Sequence, residues 1–242
     1  IDTFAQDGNA DINGLHYVRR TVTIGTTNPV TVQPGDMLFT VGGNETFGGV
    51  AVTSRDVVLF RPVAAGDYSS GTFSVLLRDP GSLGANVRDF AVVETSVTIG
   101  GTALQAGDFV MVYGGGAYDK NLQLFRPTSL GTNPTGGSLS LLIDGASTGV
   151  GIGQQIYGVG IVDGAVTIGG TSLVAGQLLL SVNGNDTVGT NNLSVSAYDV
   201  FSFTATATGL GTSSGTASML LRGANVGLSA GGEEIDALAL VY

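Results

Sequence analysis

The stretch IYGVGIVD (Ile156–Asp163) decides the fold, because the chain contains four versions of it. The other three are INGLHYVR (Ile12–Arg19), VRDFAVVE (Val87–Glu94) and IDALALVY (Ile235–Tyr242). Each copy is short, mostly apolar and flanked by Gly, Asn, Asp or Ser, which is the pattern of a β-strand between turns. The sequence therefore predicts four related strands, the last of which ends the chain.

Other blocks recur between these strands, but three times rather than four. VTIG begins at Val22, Val97 and Val166, so successive units start about 70–75 residues apart. Three further apolar blocks follow each VTIG: PGDMLFTV, AGDFVMVY and AGQLLLSV, then DVVLFRP, NLQLFRP and DVFSFTA, then GTFSVLLRD, GSLSLLIDG and GTASMLLRG. No stretch of a dozen residues keeps a helical period without a glycine. We therefore expect an all-β chain of three tandem repeats.

The three units are expected to form antiparallel, blade-like sheets. They span residues 1–94 with the first strand, 95–163, and 164–242 with the terminal strand. Many strands are apolar on both faces, so the sheets should pack against one another. Because propellers use about four to eight blades, three units predict an arc of a larger ring, a six-unit ring completed by two chains, or stacked sheets.

The fourth copy leaves one strand in excess. Either it lies in the first unit's sheet and closes the structure, or it pairs with the edge of another molecule. Head-to-tail pairing of the second kind gives a ring or a filament. The candidate assembly residues are the apolar ones of the two terminal copies: Ile12, Leu15, Tyr17, Ile235, Leu238, Leu240 and Tyr242.

Composition excludes several classes of function. A net charge of −10 disfavours nucleic acid and anionic membrane surfaces, and no apolar run approaches the roughly 20 residues that span a bilayer. The chain has no cysteine and a single histidine, His16, expected to lie partly exposed in the first strand. Such an inventory provides neither a thiol nucleophile nor a His-rich metal centre. The neighbouring carboxylates Glu233 and Glu234 should point apart, so we predict no enzymatic activity.

Two glycine-rich loops are candidates for calcium binding. VGGNETFGG (Val41–Gly49) and VNGNDTVGT (Val182–Thr190) each look like one turn of the hemolysin-type calcium nonapeptide. The alternative is a hairpin loop in which Gly and Asn supply positive φ, because the nonapeptide works in tandem stacks and each loop here is isolated. The candidate ligands are Asn44, Glu45, Asn185 and Asp186, and no cofactor other than calcium is expected.

The repeat pattern resembles the tandem β-repeats of large secreted or surface-displayed bacterial proteins of the adhesin type. The segments that carry this resemblance are Leu124–Gly131, Ala175–Val182, Gly215–Gly223 and Ile235–Tyr242. It implies an extracellular or cell-surface location and no catalytic residue. We predict a non-enzymatic structural or adhesive protein that pairs strands with itself or with a neighbouring surface protein. The alternative is a calcium- or glycan-binding module of a larger secreted protein.

Overall fold

The computed structural model describes residues 11–229 and 232–241. Over these residues the chain is all-β, as predicted, and its strands form several antiparallel sheets. Two short 3-10 helices, Pro80–Ser82 and Gly223–Val226, lie between or after the strands.

The first sheet is built from strands before residue 78. Eight strands occur there: β1 (Ile12–Tyr17), β2 (Val22–Ile24), β3 (Val30–Val32), β4 (Met37–Val41), β5 (Glu45–Phe47), β6 (Val50–Val52), β7 (Val57–Ala64) and β8 (Asp67–Leu77). Strands β1, β4, β7 and β8 form a four-stranded antiparallel sheet in that order. The pairs β2–β3 and β5–β6 are separate hairpins between the sheet strands.

The second sheet follows with one hairpin fewer. Its strands are β9 (Asn86–Val92), β10 (Val97–Ile99), β11 (Thr102–Leu104), β12 (Phe109–Gly114), β13 (Leu122–Ser129) and β14 (Gly136–Ile143). The sheet order is β9, β12, β13, β14, and β10–β11 form the hairpin. A loop over 115–121 stands where the other two sheets have their second hairpin.

The third sheet repeats the plan of the first. Its strands are β15 (Ile156–Ile161), β16 (Val166–Ile168), β17 (Thr171–Leu173), β18 (Leu178–Val182), β19 (Asp186–Val188), β20 (Leu193–Val195), β21 (Val200–Ala207) and β22 (Ser214–Leu221). The sheet order is β15, β18, β21, β22, with hairpins β16–β17 and β19–β20. Residues 232–241, named here the terminal segment, form no strand. The predicted fourth strand is therefore absent from every ladder of the described residues.

The core lies between neighbouring sheets. In β12, Phe109 and Met111 belong to an apolar cluster shared with the first sheet, whereas Val110 and Val112 belong to a cluster shared with the third. Because successive side chains of a strand point to opposite faces, the second sheet is sandwiched between the other two. This arrangement explains why many strands read as apolar on both faces.

A recurrent turn fixes the start of the second strand of each sheet. It contains Gly35, Gly107 or Gly176, whose φ values of 96, 92 and 91° lie in the left-handed region that favours glycine. In the first two sheets an aspartate follows and accepts a main-chain N–H three residues earlier, at 2.9 and 2.8 Å. An arginine of β7 or β13 pairs with this aspartate, as Arg126 Nη2 does with Asp108 Oδ2 at 2.7 Å. These carboxylates therefore have structural partners.

Candidate functional site

The four copies of the repeated strand meet at one buried carboxyl group. Asp89 of β9 accepts hydrogen bonds at Oδ2 from the N–H of Val159 in β15, at 2.7 Å, and of Leu238 in the terminal segment, at 3.4 Å. The N–H groups of Leu15 in β1 and of Phe90 also approach this carboxyl group. We name this meeting point the Asp89 junction. It joins all three sheets and the terminal segment, which are far apart in the chain.

The aspartate of the junction is fully buried. Burial raises the pKa of Asp89 well above its ordinary value, against the opposing effect of the four main-chain N–H groups. Within the described residues its Oδ1 atom has no hydrogen-bond partner. The corresponding residues of the other copies are Gly14, Gly158 and Ala237. Glycine is needed at position 14 because a Cβ there would lie 2.7 Å from Asp89 Oδ1.

A polar cavity of about 290 Å³ lies at one end of the junction. Its lining includes the second residue of all four copies, namely Asn13, Arg88, Tyr157 and Asp236, together with Glu234. The convergence of the copies therefore brings four chemically different side chains, from four distant parts of the chain, to one place.

The lining of this cavity carries charges of both signs. The Arg88 guanidinium lies over the Tyr157 ring, 4.3 Å from the ring centroid, and Nη1 donates to Gln155 Oε1 at 2.9 Å. Burial raises the pKa of Asp236, the charges of Glu234 and Asp11 raise it further, and that of Arg88 lowers it. The cavity lining thus has one cation, Arg88, and two carboxylates, Glu234 and Asp236.

An ion-pair network lies toward the other end of the repeated strands. His16 Nε2 lies 3.0 Å from Glu94 Oε1, which also accepts the N–H of Arg19 at 2.9 Å. Arg19 and Arg20 both reach Asp163, at 2.8 and 2.9 Å. The His16 side chain is 12% exposed and the Glu94 side chain is fully buried. The histidine therefore helps to hold the first sheet against the second.

The terminal segment lies against the third sheet. The N–H of Ile235 donates to the carbonyl of Ala197 at 3.2 Å, and Ser181 Oγ donates to the carbonyl of Ile235 at 2.8 Å. The predicted assembly residues Ile235, Leu238 and Leu240 are partly buried against an apolar cluster that includes Leu179 and Val200. Tyr242 lies outside the described residues.

The predicted assembly residues of the first copy lie in β1. This strand pairs with β4 and packs against β9. Leu15 is partly buried against the core of the first sheet, and the Tyr17 hydroxyl accepts a hydrogen bond from Tyr68 at 3.3 Å. Ile12 is 38% exposed. One edge of this copy is therefore already paired within the molecule.

The seventh residue of the repeated strand is a valine in all four copies, but its surroundings in the terminal copy differ from those in the other three. Val18, Val93 and Val162 are fully buried. Each donates its N–H to the carbonyl of Asp36, Asp108 or Gln177, and each accepts the N–H of the preceding turn glycine, all at 2.9 Å. We name this pair of hydrogen bonds the valine–turn pairing. Val241 is 61% exposed, and no valine–turn pairing forms at it within the described residues.

The predicted calcium ligands lie in two corresponding clefts. Asn44 and Glu45 line one of about 370 Å³, beside hairpin β5–β6 and Arg78. Asn185 and Asp186 line the other, of about 580 Å³, which lies beside hairpin β19–β20. We name these the twin clefts. Within the two loops the positive φ values belong to Gly48, Gly49 and Gly189, and no Asn has one.

The acidic residue of the second loop, Asp186, is held by main-chain hydrogen bonds. Asp186 accepts the N–H groups of Gly153 and Gln154 at Oδ2, at 2.8 and 3.0 Å, and that of Thr187 at Oδ1, at 2.9 Å. It therefore fixes the loop before β15 to hairpin β19–β20. Over residues 11–229 and 232–241, no group of three or more His, Cys, Asp or Glu side chains is arranged to hold a metal ion.

Sequence reasoning did not single out Asp89 itself, nor the cavity residues Asn13, Arg88, Tyr157 and Asp236. A signal was present, because Asp89 is the one charged residue at a position otherwise occupied by Gly or Ala. The second position was informative in the same way, since it changes among Asn, Arg, Tyr and Asp. A position that varies in chemistry within a repeated strand marks a place where the copies differ in role.

Comparison of the chain with protein families, with curated proteins and with solved structures found no match. The described residues contain no helix that is long and apolar enough to span a membrane.

Proposed function

We propose that the protein is a non-enzymatic structural or adhesive component of an extracellular or cell-surface assembly. It joins a neighbouring molecule by β-strand pairing at the terminal segment. The observation that carries the proposal is the exposure of Val241, whose counterparts in the other three copies are buried and paired with a turn. The extracellular location rests on the resemblance of the repeats to those of surface proteins.

The open edge of the terminal segment is the physical reason for pairing. Strands β1, β9 and β15 each have a second strand, β4, β12 or β18, along the edge that faces away from the Asp89 junction. The terminal segment has the same kind of sequence and reaches the same junction, but among the described residues it belongs to no ladder. A row of free main-chain N–H and C=O groups is a template for an added strand.

A second copy of the chain is the proposed partner, although a neighbouring surface protein with similar repeats has the same chemistry. The outer strands β8, β14 and β22 each end a sheet, and among the described residues their second edges carry at most isolated bridges, at Ile143 of β14 and Ser214 of β22. Pairing one of them with the terminal segment is heterologous, so it produces rings or filaments according to the rotation between copies.

The number of repeat units and their arrangement around the Asp89 junction are part of the same proposal. We infer three tandem units, arranged as blades around the Asp89 junction, with the terminal segment in the innermost position of a fourth blade. Support comes from the order within each sheet, since the strand nearest the junction is always the first of its sheet in sequence.

Light scattering of three proteins tests the assembly: the wild type, Val241→Pro and Val241→Ala. Proline removes the N–H that an added strand would use, whereas alanine keeps it. We expect a concentration-dependent mass above that of the monomer for wild type and Val241→Ala, and a monomer for Val241→Pro. Equal masses for all three proteins would contradict the proposal. Unchanged thermal unfolding of Val241→Pro is the control for folding.

The second candidate function is a calcium- or glycan-binding module, and the twin clefts favour it. Residues at corresponding places line the two clefts, among them Arg78 in one and Arg222 in the other. Two similar sites on one chain would increase avidity for a repetitive ligand. The test is thermal unfolding with calcium chloride, with a chelator and with oligosaccharides. A ligand that binds the folded state raises the melting temperature, and no shift with any of them would exclude this candidate.

A further inference from the structure

The cavity at the Asp89 junction has a feature that strand pairing does not use. Glu234 and Asp236 line it, and within the described residues neither forms an ion pair with a Lys, Arg or His side chain. Glu234 Oε2 accepts one hydrogen bond, from the N–H of Gly232 at 3.0 Å. The acidic side of the cavity therefore has carboxylate oxygens available to a ligand.

The one basic side chain of the cavity is engaged elsewhere. The guanidinium of Arg88 is held against the Tyr157 ring and bonded to Gln155 Oε1. Gln155 is itself fixed, because its Nε2 donates to Asp119 Oδ2 at 3.0 Å. Moving Arg88 to neutralise the carboxylates would break both contacts. The negative charge of Glu234 and Asp236 is thus left for an external cation.

The remaining lining selects the kind of cation. Asn13 offers an amide oxygen and Tyr157 offers a phenol oxygen, while one face of the Tyr157 ring already holds the Arg88 guanidinium. The described acidic groups do not come together as a metal-binding set. A volume of about 290 Å³ is much larger than a bare ion and suits the end of an organic molecule.

We propose that this cavity binds a primary ammonium group carried by an organic ligand. The ammonium group donates hydrogen bonds to the Asp236 and Glu234 carboxylates, and the carrier lies against Tyr157 and Asn13. The same chemistry occurs at the end of a lysine side chain and on an amino sugar. The site is separate from the open edge at Val241.

Binding of the ammonium group should weaken as the pH falls. Burial and the charges of Glu234 and Asp11 raise the pKa of Asp236, and Arg88 only partly opposes them. Asp236 therefore becomes protonated at a higher pH than an ordinary aspartate. Affinity should fall as the pH falls, beginning above the range in which free aspartate titrates.

Titrations of the ¹⁵N-labelled full chain, followed by NMR, test the proposal with two matched pairs of probes. Nα-acetyl-lysine amide is compared with its Nε-acetylated form, and glucosamine with N-acetylglucosamine. In each pair acetylation removes the charge of the ammonium group and leaves the carrier. We expect the charged member of at least one pair to shift the amide signals around Asp236. The pair that binds tighter identifies the carrier as lysine-like or sugar-like.

Two charge-matched variants complete the test. Asp236→Asn should weaken binding of the charged probe about five- to tenfold. Asp67→Asn removes the same charge from the exposed first residue of β8, which does not line the cavity, and should leave binding unchanged. The proposal is overturned if charged and acetylated probes behave alike, or if the two variants weaken binding equally. Both variants are expected to fold, since Asp236 is only partly covered and Asp67 is exposed.

Discussion

Val162 and Val241 occupy the same position in two copies of one strand, yet their surroundings are opposite. Val162, directly after β15, is fully buried and forms the valine–turn pairing with residues 176 and 177. Val241 is 61% exposed in the terminal segment. Both segments reach the Asp89 junction. The difference shows that an apolar sequence places a segment at the junction, but a second strand is needed to make it part of a sheet.

The largest effect is expected from breaking the feature that the copies share. Asp89→Ala leaves the buried N–H of Val159 without its acceptor, and an unsatisfied buried donor costs about 1–3 kcal/mol. The space left by the missing carboxyl group adds to this cost, so we expect the free energy of unfolding to fall by about 3 kcal/mol. Urea denaturation measures this change. A loss below about 1 kcal/mol would mean that the junction contributes little to stability.

The pH dependence of the same residue provides a second measurement. Because burial raises the pKa of Asp89 in the folded state, its contribution to stability is complete below the pKa of the unfolded chain. That contribution is lost as the pH rises through the folded pKa. Asp89→Asn keeps an acceptor oxygen and cannot ionise, so its advantage over wild type should grow from about pH 4 upward. Parallel stability curves for the two proteins would contradict this explanation.

A pair of alanine substitutions isolates the comparison between the copies. Val162→Ala removes buried methyl groups and should lower the free energy of unfolding by about 2 kcal/mol. Val241→Ala should change it by less than about 0.5 kcal/mol, because this side chain is exposed. Thermal or urea unfolding of the monomer measures both. Similar losses would show that the terminal copy is buried like the third.

A smaller effect is expected where the terminal segment contacts β15. A Cβ on Gly158 would lie 2.8 Å from Cγ of Leu238 and 2.7 Å from Oγ of Ser181. Gly158→Ala should therefore displace the terminal segment, at a cost of about 1–2 kcal/mol. Gly160→Ala is the matched control, since its Cβ would meet Leu179 at an ordinary 3.5 Å. Limited proteolysis should cut the terminal segment faster in Gly158→Ala only.

Much of the fold could be predicted because its blocks repeat with a strand pattern. The glycine of AGD predicts a turn, and it has positive φ at Gly107. The double-sided apolar pattern of FVMV predicts a sandwiched strand, and β12 is one. The conformation of the terminal copy could not be predicted in this way. Its sequence resembles that of β15, but the residues that surround it in the structure are different. Pairing depends on contacts with distant residues.

The candidate sites show the same limit. Asn185 and Asp186 were singled out by a local loop motif, and the structure places them beside residues of hairpin β19–β20. Arg88, Tyr157 and Asp236 carry no local motif and meet only because the copies converge. The convergence comes from the packing of β9 against β1 and β15. Periodicity within one strand contains no information about that packing.

Hydrogen exchange at the amide of Val241, measured against that of Val162 over a range of protein concentrations, distinguishes strand pairing between molecules from closure within one molecule. We expect strong protection of Val162 at every concentration. Val241 should exchange freely in dilute solution and become protected as the protein assembles. Equal protection of both amides in the dilute monomer would show that the chain closes on itself. An unprotected Val241 in a sample whose mass has risen would place the contact elsewhere. Either result would contradict strand pairing at the terminal segment.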